Sequence, residues 1–261
     1  DAMWKAMEHM GAKPGMVWLE PAVGIGNFLG RQPESLLEAA RRVGIDKDTL
    51  TGKMAQKLYP DSGIEVTGYE KAELPEDYFD AAISNVPFGD FGVNDPAFKG
   101  KPYLTNPIHN YFFAKSLTYV RPGGVIGFIT CRYTMDGYDQ PHKKFREWVD
   151  GKADFLGAVR LPSNAFQEAA GTHVITDIIF LRRRLPGAEP QSQPWAGTNW
   201  KWLGDAYSAS GRHAVNEYYH AHPENILGKE GTNRGQFSAA DYDVKGTVTA
   251  DQLNAALARI L

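Results

Sequence analysis

Three short apolar runs each finish on an acid. Val17-Trp18-Leu19 runs into Glu20, Val43-Gly44-Ile45 into Asp46, and Ile64-Glu65-Val66-Thr67-Gly68-Tyr69 into Glu70. Strand-like segments alternate with helical stretches from about residue 16 to 130, a pattern that closes a mostly parallel sheet with helices on both faces. In such α/β sheets ligands bind beyond the carboxyl ends of the strands. The first run passes straight into Pro21-Ala22-Val23-Gly24-Ile25-Gly26-Asn27-Phe28. Glycine tolerates positive φ and lets a ligand approach the backbone, and a helix expected over 27–42 would offer unpaired N–H groups at its start. A Gly-x-Gly turn alone also fits tight strand–helix packing, and one strand-end acid alone is an ordinary solvated terminus. The ordered series of three carries the reading. The second acid suits ribose hydroxyls and the third an exocyclic amine. Strands are expected near 16–20, 42–46, 64–69, 80–84, 124–130, 155–160 and 173–182. Further helices are expected near 2–10, 49–58, 107–120 and 141–150.

The fourth strand ends on Ser84-Asn85-Val86-Pro87-Phe88-Gly89. An amide oxygen and a backbone carbonyl both accept from an amine, and an aromatic face beside them stacks on the ring that bears it. The same residues also suit an Asn-X-Pro turn; the upstream nucleotide-binding pattern favours the pocket.

Together these residues resemble the amino-group S-adenosylmethionine-dependent DNA methyltransferases that modify the exocyclic N6 amine of adenine. Glu20 to Phe28 is similar to the cofactor loop of that family, Asp46 to its ribose-binding acid and Glu70 to the acid of the next motif. Asn85-Val86-Pro87-Phe88 is similar to its catalytic Asn-Pro-Pro-Phe/Tyr tetrapeptide. The motif order is that of type I modification subunits. The likeness continues through Ile108 to Phe113, Pro122 to Thr130 and Leu161-Pro162-Ser163-Asn164-Ala165-Phe166, and fades near Arg184. Asn-Val-Pro-Phe-Gly, with Thr134-Met135-Asp136 and Val215-Asn216-Glu217-Tyr218-Tyr219, resembles methyltransferase regions of large phage and plasmid polypeptides, some with helicase domains.

The resemblance implies a Rossmann-like methyltransferase sheet plus a C-terminal extension. It implies S-adenosylmethionine as cofactor, held by Glu20, Pro21, Gly24, Gly26, Asn27, Asp46 and Glu70. Asn85, Val86, Pro87 and Phe88 would be catalytic, Phe88 would stack on the target base, and Phe166 would form another wall or pack in the core. Partners would be DNA and further helicase or target-recognition domains of a larger polypeptide. The target base would be flipped out or single-stranded. Two departures stand out. Val86 replaces a proline; it keeps the carbonyl but loses the fixed φ, so the loop is expected to be less preorganised, and restoring proline to leave activity intact. The aromatic-Thr-Pro segment that usually precedes the first helix is also missing, because the chain begins at Asp1 within that helix. On that reading it is a fragment with weakened cofactor affinity. Competing readings are methyl transfer to RNA or to a glutamine amide, a binding module retaining the fold, and a nicotinamide dehydrogenase that would leave Asn85 to Phe88 unexplained.

The formal net charge of −3 is unusual for a self-sufficient DNA binder. Lys143-Lys144-Phe145-Arg146 and Arg182-Arg183-Arg184 read as solvated faces. The single Cys131 excludes an internal disulfide and a cysteine-based zinc site; it suits buried packing or the mouth of the cofactor site, with no partner in sequence for a catalytic thiol. The histidines show no convincing metal spacing. No apolar run is long enough for a membrane span and no signal peptide is visible, so a cytoplasmic setting is expected. Residues 1–185 are expected to form the methyltransferase domain and 186–261 a linker and extension. Residues 89–106 suit either a loop ordered over substrate or a mobile one. Residues 186–194 read as a linker. Beyond it, Trp195, Trp200 and Trp202 are expected to pin the extension onto the core, with base stacking as the alternative. A terminal helix capped by Thr249 would place Leu253, Leu257 and Ile260 on one face.

Overall fold

A computed structural model of the chain describes residues 1–167, 173–203, 211–233 and 240–260. Seven strands form the central sheet: β1 (Val17–Glu20), β2 (Arg41–Asp46), β3 (Gly63–Val66), β4 (Phe79–Asn85), β5 (Val120–Cys131), β6 (Ala153–Arg160) and β7 (Thr176–Arg183). Their order is β3-β2-β1-β4-β5-β7-β6. All neighbours are parallel up to β5, whereas β7 runs antiparallel to both β5 and β6. Strand order reverses at β1, which has β2 on one side and β4 on the other, and that reversal opens a crevice at the carboxyl ends.

Alternation along β4 and β5 sends residues to two cores. Ala82, Ile126 and Phe128 join one cluster, while Ala81, Ile83, Val125 and Ile129 join the other. The first is covered by α4 (Ile108–Tyr119) and α6 (Gln140–Asp150), with the four-residue α5 (Tyr133–Asp136) between them in sequence. The second is covered by α1 (Ala2–His9), whose Met3, Trp4 and Met7 are buried.

The long helix expected over 27–42 does not form. A 3-10 turn (Leu29–Arg31) and the four-residue α2 (Glu34–Leu37) stand in its place, and β2 already begins at Arg41. Pro33 supplies no N–H to an intervening helix, and Ala39 turns the chain at φ +53°. The cofactor-type loop therefore has no long helix N-terminus behind it. The other predicted helices match: α3 is Thr49–Leu58, capped by Asp48, which accepts from the Thr51 N–H.

The C-terminal extension contributes β8 (Thr198–Trp202) paired with β9 (Arg212–Asn216), α7 (Glu217–Ala221), β10 (Lys229–Asn233) paired with β11 (Asp241–Lys245), and α8 (Ala250–Arg259). Thr249 and Gln252 form a reciprocal capping box at α8. Leu257 is buried beside α1, with Leu253 and Ile260 packed against the same cluster. Gly157 allows this docking, since a Cβ there would stand 2.8 Å from Ile260.

Residues 186–194 are no free tether. Gln193 donates its N–H to the Phe155 carbonyl on the edge strand β6, Asp154 accepts from the Gln191 N–H, and Ser192 bonds Asp150. Trp195 is buried, stacks on Phe155 at 4.7 Å and donates to Asp150. Trp200 and Trp202 remain 46% and 49% exposed, so only the first of the three tryptophans pins the extension.

The basic clusters are solvated only in part: Lys143 and Lys144 are exposed, as expected, whereas the arginines are engaged. Arg146 is buried and donates to the carbonyls of Thr134, Gly137 and Ala196. Arg183 pairs with Asp77 and Arg184 with Asp154. Among the described residues, no helix is long and apolar enough to cross a membrane.

Candidate active site

At the carboxyl end of β1 and β4 lies a cavity of about 800 Å³, within the usual range for small-molecule sites of about 300–1,000 Å³. Four strand ends meet in its wall. Pro21, Ala22 and Gly24 come from the loop after β1, Asp46, Lys47 and Asp48 from the end of β2, Glu70 from the turn after β3, and Asn85, Val86, Pro87 and Phe88 from the end of β4. The lining also includes Phe91 and Val93 from the 89–106 segment, Ile108, Tyr111 and Phe112 from α4, and Tyr69.

The glycine loop is held by charge. Asp46 accepts the Gly24 N–H at 2.6 Å through one carboxylate oxygen and the Asp48 N–H at 2.8 Å through the other. A carboxylate has about four acceptor sites, so capacity remains for a ligand hydroxyl. Gly24 sits at φ +53° with open space where a Cβ would project. Gly26 is different: at φ +85°, its Cβ would stand 2.2 Å from the Tyr59 ring. Gly26 therefore serves packing against α3, and neither it nor Asn27 lines the cavity.

Glu20 is also outside the lining, one residue before it. It is 3% exposed, and its Oε2 has no hydrogen-bond partner. Burial pushes its carboxyl well above the ordinary range; the Asp46 charge adds to this, and a hydrogen bond from the Leu29 backbone opposes it.

Asn85 ends β4, paired with Ile129 of β5. Its side chain is exposed and makes no hydrogen bond among the described residues. Val86 is 1% exposed, and its N–H donates to the Ile129 carbonyl at 3.1 Å. The sheet bonding thus continues to the second residue of the tetrapeptide and ties the loop to β5, an anchor that proline could not supply. Activity is expected to survive proline here, but stability is not. Val86→Pro removes this donor and strands a nearly buried carbonyl, at about 1–3 kcal/mol. We expect a lower thermal midpoint for Val86→Pro than for the wild type, checked by melting both proteins.

The 89–106 segment is ordered. Val93 donates to the Thr105 carbonyl, and Asp95 accepts from Tyr111 at 2.7 Å and from buried Lys115 at 2.6 Å. Phe91 folds back over Gly89, where a Cβ would meet its ring at 2.6 Å, and stays 56% exposed at the mouth. Tyr69 stacks on Phe112 at 5.1 Å, giving the interior an aromatic wall. The sequence reading missed Tyr69, Phe91, Tyr111 and Phe112 as lining residues, although the aromatic content of 107–113 was the available signal.

Phe166 lies elsewhere. It is half-buried against the cluster containing Trp4, Ile129 and Leu161, and is absent from the cavity lining. The Leu-Pro-x-x-x-Phe likeness does not fix the direction in which that side chain packs.

Cys131 is buried, with Sγ 3.5 Å from His109 Nδ1. Burial pushes the thiol up to about 12 and His109 down to about 3, with His142 contributing to the latter. Both groups are neutral at physiological pH, so this is no activated thiol. No group of three or more metal-ligating side chains occurs among the described residues.

No protein-family model matches the chain. Over 186 residues it is 30% identical to the Defense against restriction protein B of Escherichia phage P1, a match covering 70% of this chain and 8% of that protein. Among solved structures, a protein from Vibrio vulnificus assigned as a modification subunit of a type I restriction enzyme superposes with a TM-score of 0.58. That match has 14% identity and covers 93% of this chain and 57% of that one. The type I restriction-modification methyltransferase subunit from Streptococcus thermophilus gives a TM-score of 0.56 and 16% identity, covering 71% and 44%. The chain has an S-adenosylmethionine-dependent methyltransferase fold. In this methyltransferase fold the cavity occupies the crevice where strand order reverses, at the carboxyl ends of β1 and β4.

Proposed function

We propose that the chain binds S-adenosylmethionine in this cavity and methylates the N6 amine of adenine in DNA. One observation carries the reading: the ends of β1, β2 and β3, with the glycine loop and two acids, share a wall with Asn85 to Phe88. The residues fit the cofactor. Asp46 at the end of β2 and Glu70 in the turn after β3 are hydroxyl and amine acceptors, and Tyr69 and Phe112 offer flat faces. The unpaired Oε2 of Glu20 is an acceptor for an ammonium group. The cofactor supplies an electrophilic methyl group on a sulfonium.

The chain's own residues do the rest. The Asn85 side-chain oxygen and the Val86 carbonyl accept from the two N–H bonds of the amine. This draws the nitrogen toward a tetrahedral form and frees its lone pair from the ring. Such orientation and electrostatic shaping are worth several kcal/mol. Phe88 stacks on the base, and Phe91, rather than Phe166, is the second aromatic at the mouth. A base in a duplex must leave the stack to reach this position. Mass-spectrometric nucleoside analysis of DNA incubated with the chain and S-adenosylmethionine tests the reading; adenine left unmethylated while another base is methylated would overturn it.

Glu20 supplies a separate check. Its raised pKa means that the folded state holds a proton more tightly than the unfolded state. The stabilisation is therefore complete below the ordinary value of 4.5 and is lost as pH rises through the folded value. An ammonium ligand drives the proton off. At mildly acidic pH, binding of S-adenosylhomocysteine is expected to release a proton, read as a buffer-dependent calorimetric enthalpy. Glu20→Gln should abolish that release and flatten the fall in stability at higher pH.

A further inference from the structure

The β8–β9 hairpin exposes a face that no packing requirement explains. Trp200 and Trp202 lie two residues apart, on the same side of β8. Tyr138, 67% exposed, stands 5.3 Å from Trp200, and Tyr133 is 51% exposed. Arg212 lies over the Trp200 ring at 4.3 Å and near Trp202 at 5.9 Å; Arg132 lies over Tyr133 at 4.6 Å. These side chains rim a cavity of about 450 Å³. Four aromatic rings interleaved with two guanidinium groups form a surface of one chemical character.

Of the two guanidinium groups, Arg212 carries the free charge, because Arg132 is paired with Asp136. Arg212 makes no ion pair among the described residues. Asp136, the acid in the cavity floor, is buried and held by Arg160 at 2.8 Å and Arg132 at 3.2 Å. Asp139, beside Tyr138, accepts from the His142 ring and backbone. The hairpin is also rigidly seated: Asn216 donates its backbone N–H to Asp136 and its side-chain amide to the carbonyls of Met135 and Trp195.

The position is equally telling. Arg132 follows β5, three residues beyond Ile129, the partner of Asn85. At about 3.3 Å per strand residue that is about 10 Å, so the face lies on the same carboxyl edge as the cavity.

We infer that this face is a stacking platform for single-stranded nucleic acid. Bases would lie on Trp200, Trp202 and Tyr138, while Arg212 meets phosphates; Arg132, paired with Asp136, braces the Tyr133 ring at the rim. Base–aromatic stacking needs no particular sequence, and arginine adds cation–π attraction. The platform would hold the unpaired strand flanking a target base, and the inference rests on the methyl-transfer reading only for the class of polymer.

The test is fluorescence anisotropy of a labelled oligo(dT) of about 16 nucleotides at about 50 mM salt. The wild-type chain is compared with Trp200→Ala/Trp202→Ala and with Arg212→Lys. The double variant is expected to bind about tenfold or more weakly. Arg212→Lys, which keeps the charge but loses the planar stack, should fall between. Calorimetric affinity for S-adenosylhomocysteine and the thermal midpoint should stay unchanged in both. Equal affinity of the double variant and the wild type would overturn the platform. So would failure of the wild type to bind oligonucleotide, which would point to a protein partner for the face. Platform-dependent binding by a chain that never methylates adenine would instead remove the chemistry and keep the platform.

Discussion

Asn85→Ala is expected to reduce adenine methylation at least about a hundredfold while leaving S-adenosylhomocysteine affinity within about twofold. Removing one preorganised polar contact to a reacting group typically costs about 2.7–4 kcal/mol, or 10²–10³ in rate. Asn85 is well suited to show this. Its side chain has no hydrogen bond within the described protein and is exposed at the end of β4, so truncation removes a ligand acceptor without breaking a structural contact. Phe88→Ala should act differently, weakening base capture by about 1–3 kcal/mol. Single-turnover rates with saturating cofactor, measured alongside calorimetry, separate the two. An Asn85→Ala protein that methylates adenine at the wild-type rate would reduce Asn85 to Phe88 to a turn.

The second large effect lies away from the chemistry. Arg160 is fully buried and meets Asp177 through two contacts of 2.8 Å, with Asp136 a further 2.8 Å away. Tyr219 donates to Asp177 and carries the guanidinium 4.3 Å above its ring. Arg160→Met leaves two buried carboxylates facing each other and should cost about 3–5 kcal/mol. Because the cluster joins β6 and β7 to α7 and, through Asp136, to β9, the loss should appear as one cooperative shift in urea denaturation rather than fraying of the extension. Arg160→Met combined with Asp136→Asn and Asp177→Asn should recover part of the loss, since no buried carboxylate is then left unpaired; Arg132, which loses its Asp136 partner, is partly exposed. An unshifted midpoint in Arg160→Met would show that the cluster contributes nothing to stability.

The sheet was legible because strand ends were marked by acids and by glycine or proline. Most markers sit where the apolar run stops, and seven strands fall within a few residues of expectation; Glu70 instead lies in the 3-10 turn after β3, which already ends at Val66. The element after β1 was misread because Leu29, Leu36 and Leu37 fall at helical spacing, and the segment looks helical until Gly30 and Pro33 are weighed as interruptions. Arg146 was misread because a basic cluster suggests solvent, whereas burial of Phe145, Arg146 and Val149 puts its side chain on the packed face of α6. The nucleotide-type wall could be assembled from motifs close to strand ends. Its aromatic counterpart could not, because Tyr69, Phe91 and Phe112 are separated in sequence and their residue types equally suit a core. The Asp95–Lys115 ion pair that orders the 89–106 segment spans twenty positions and leaves no local signature.

The hydrogen bond from Val86 to Ile129 has a further consequence. A proline at this position would be silent to any probe of backbone protons. Valine gives the tetrapeptide an amide proton whose solvent exchange is governed by rupture of a single sheet bond. Its exchange rate is therefore a direct clock for opening of the loop, readable residue by residue without a label, and any occupant that braces the loop must slow it.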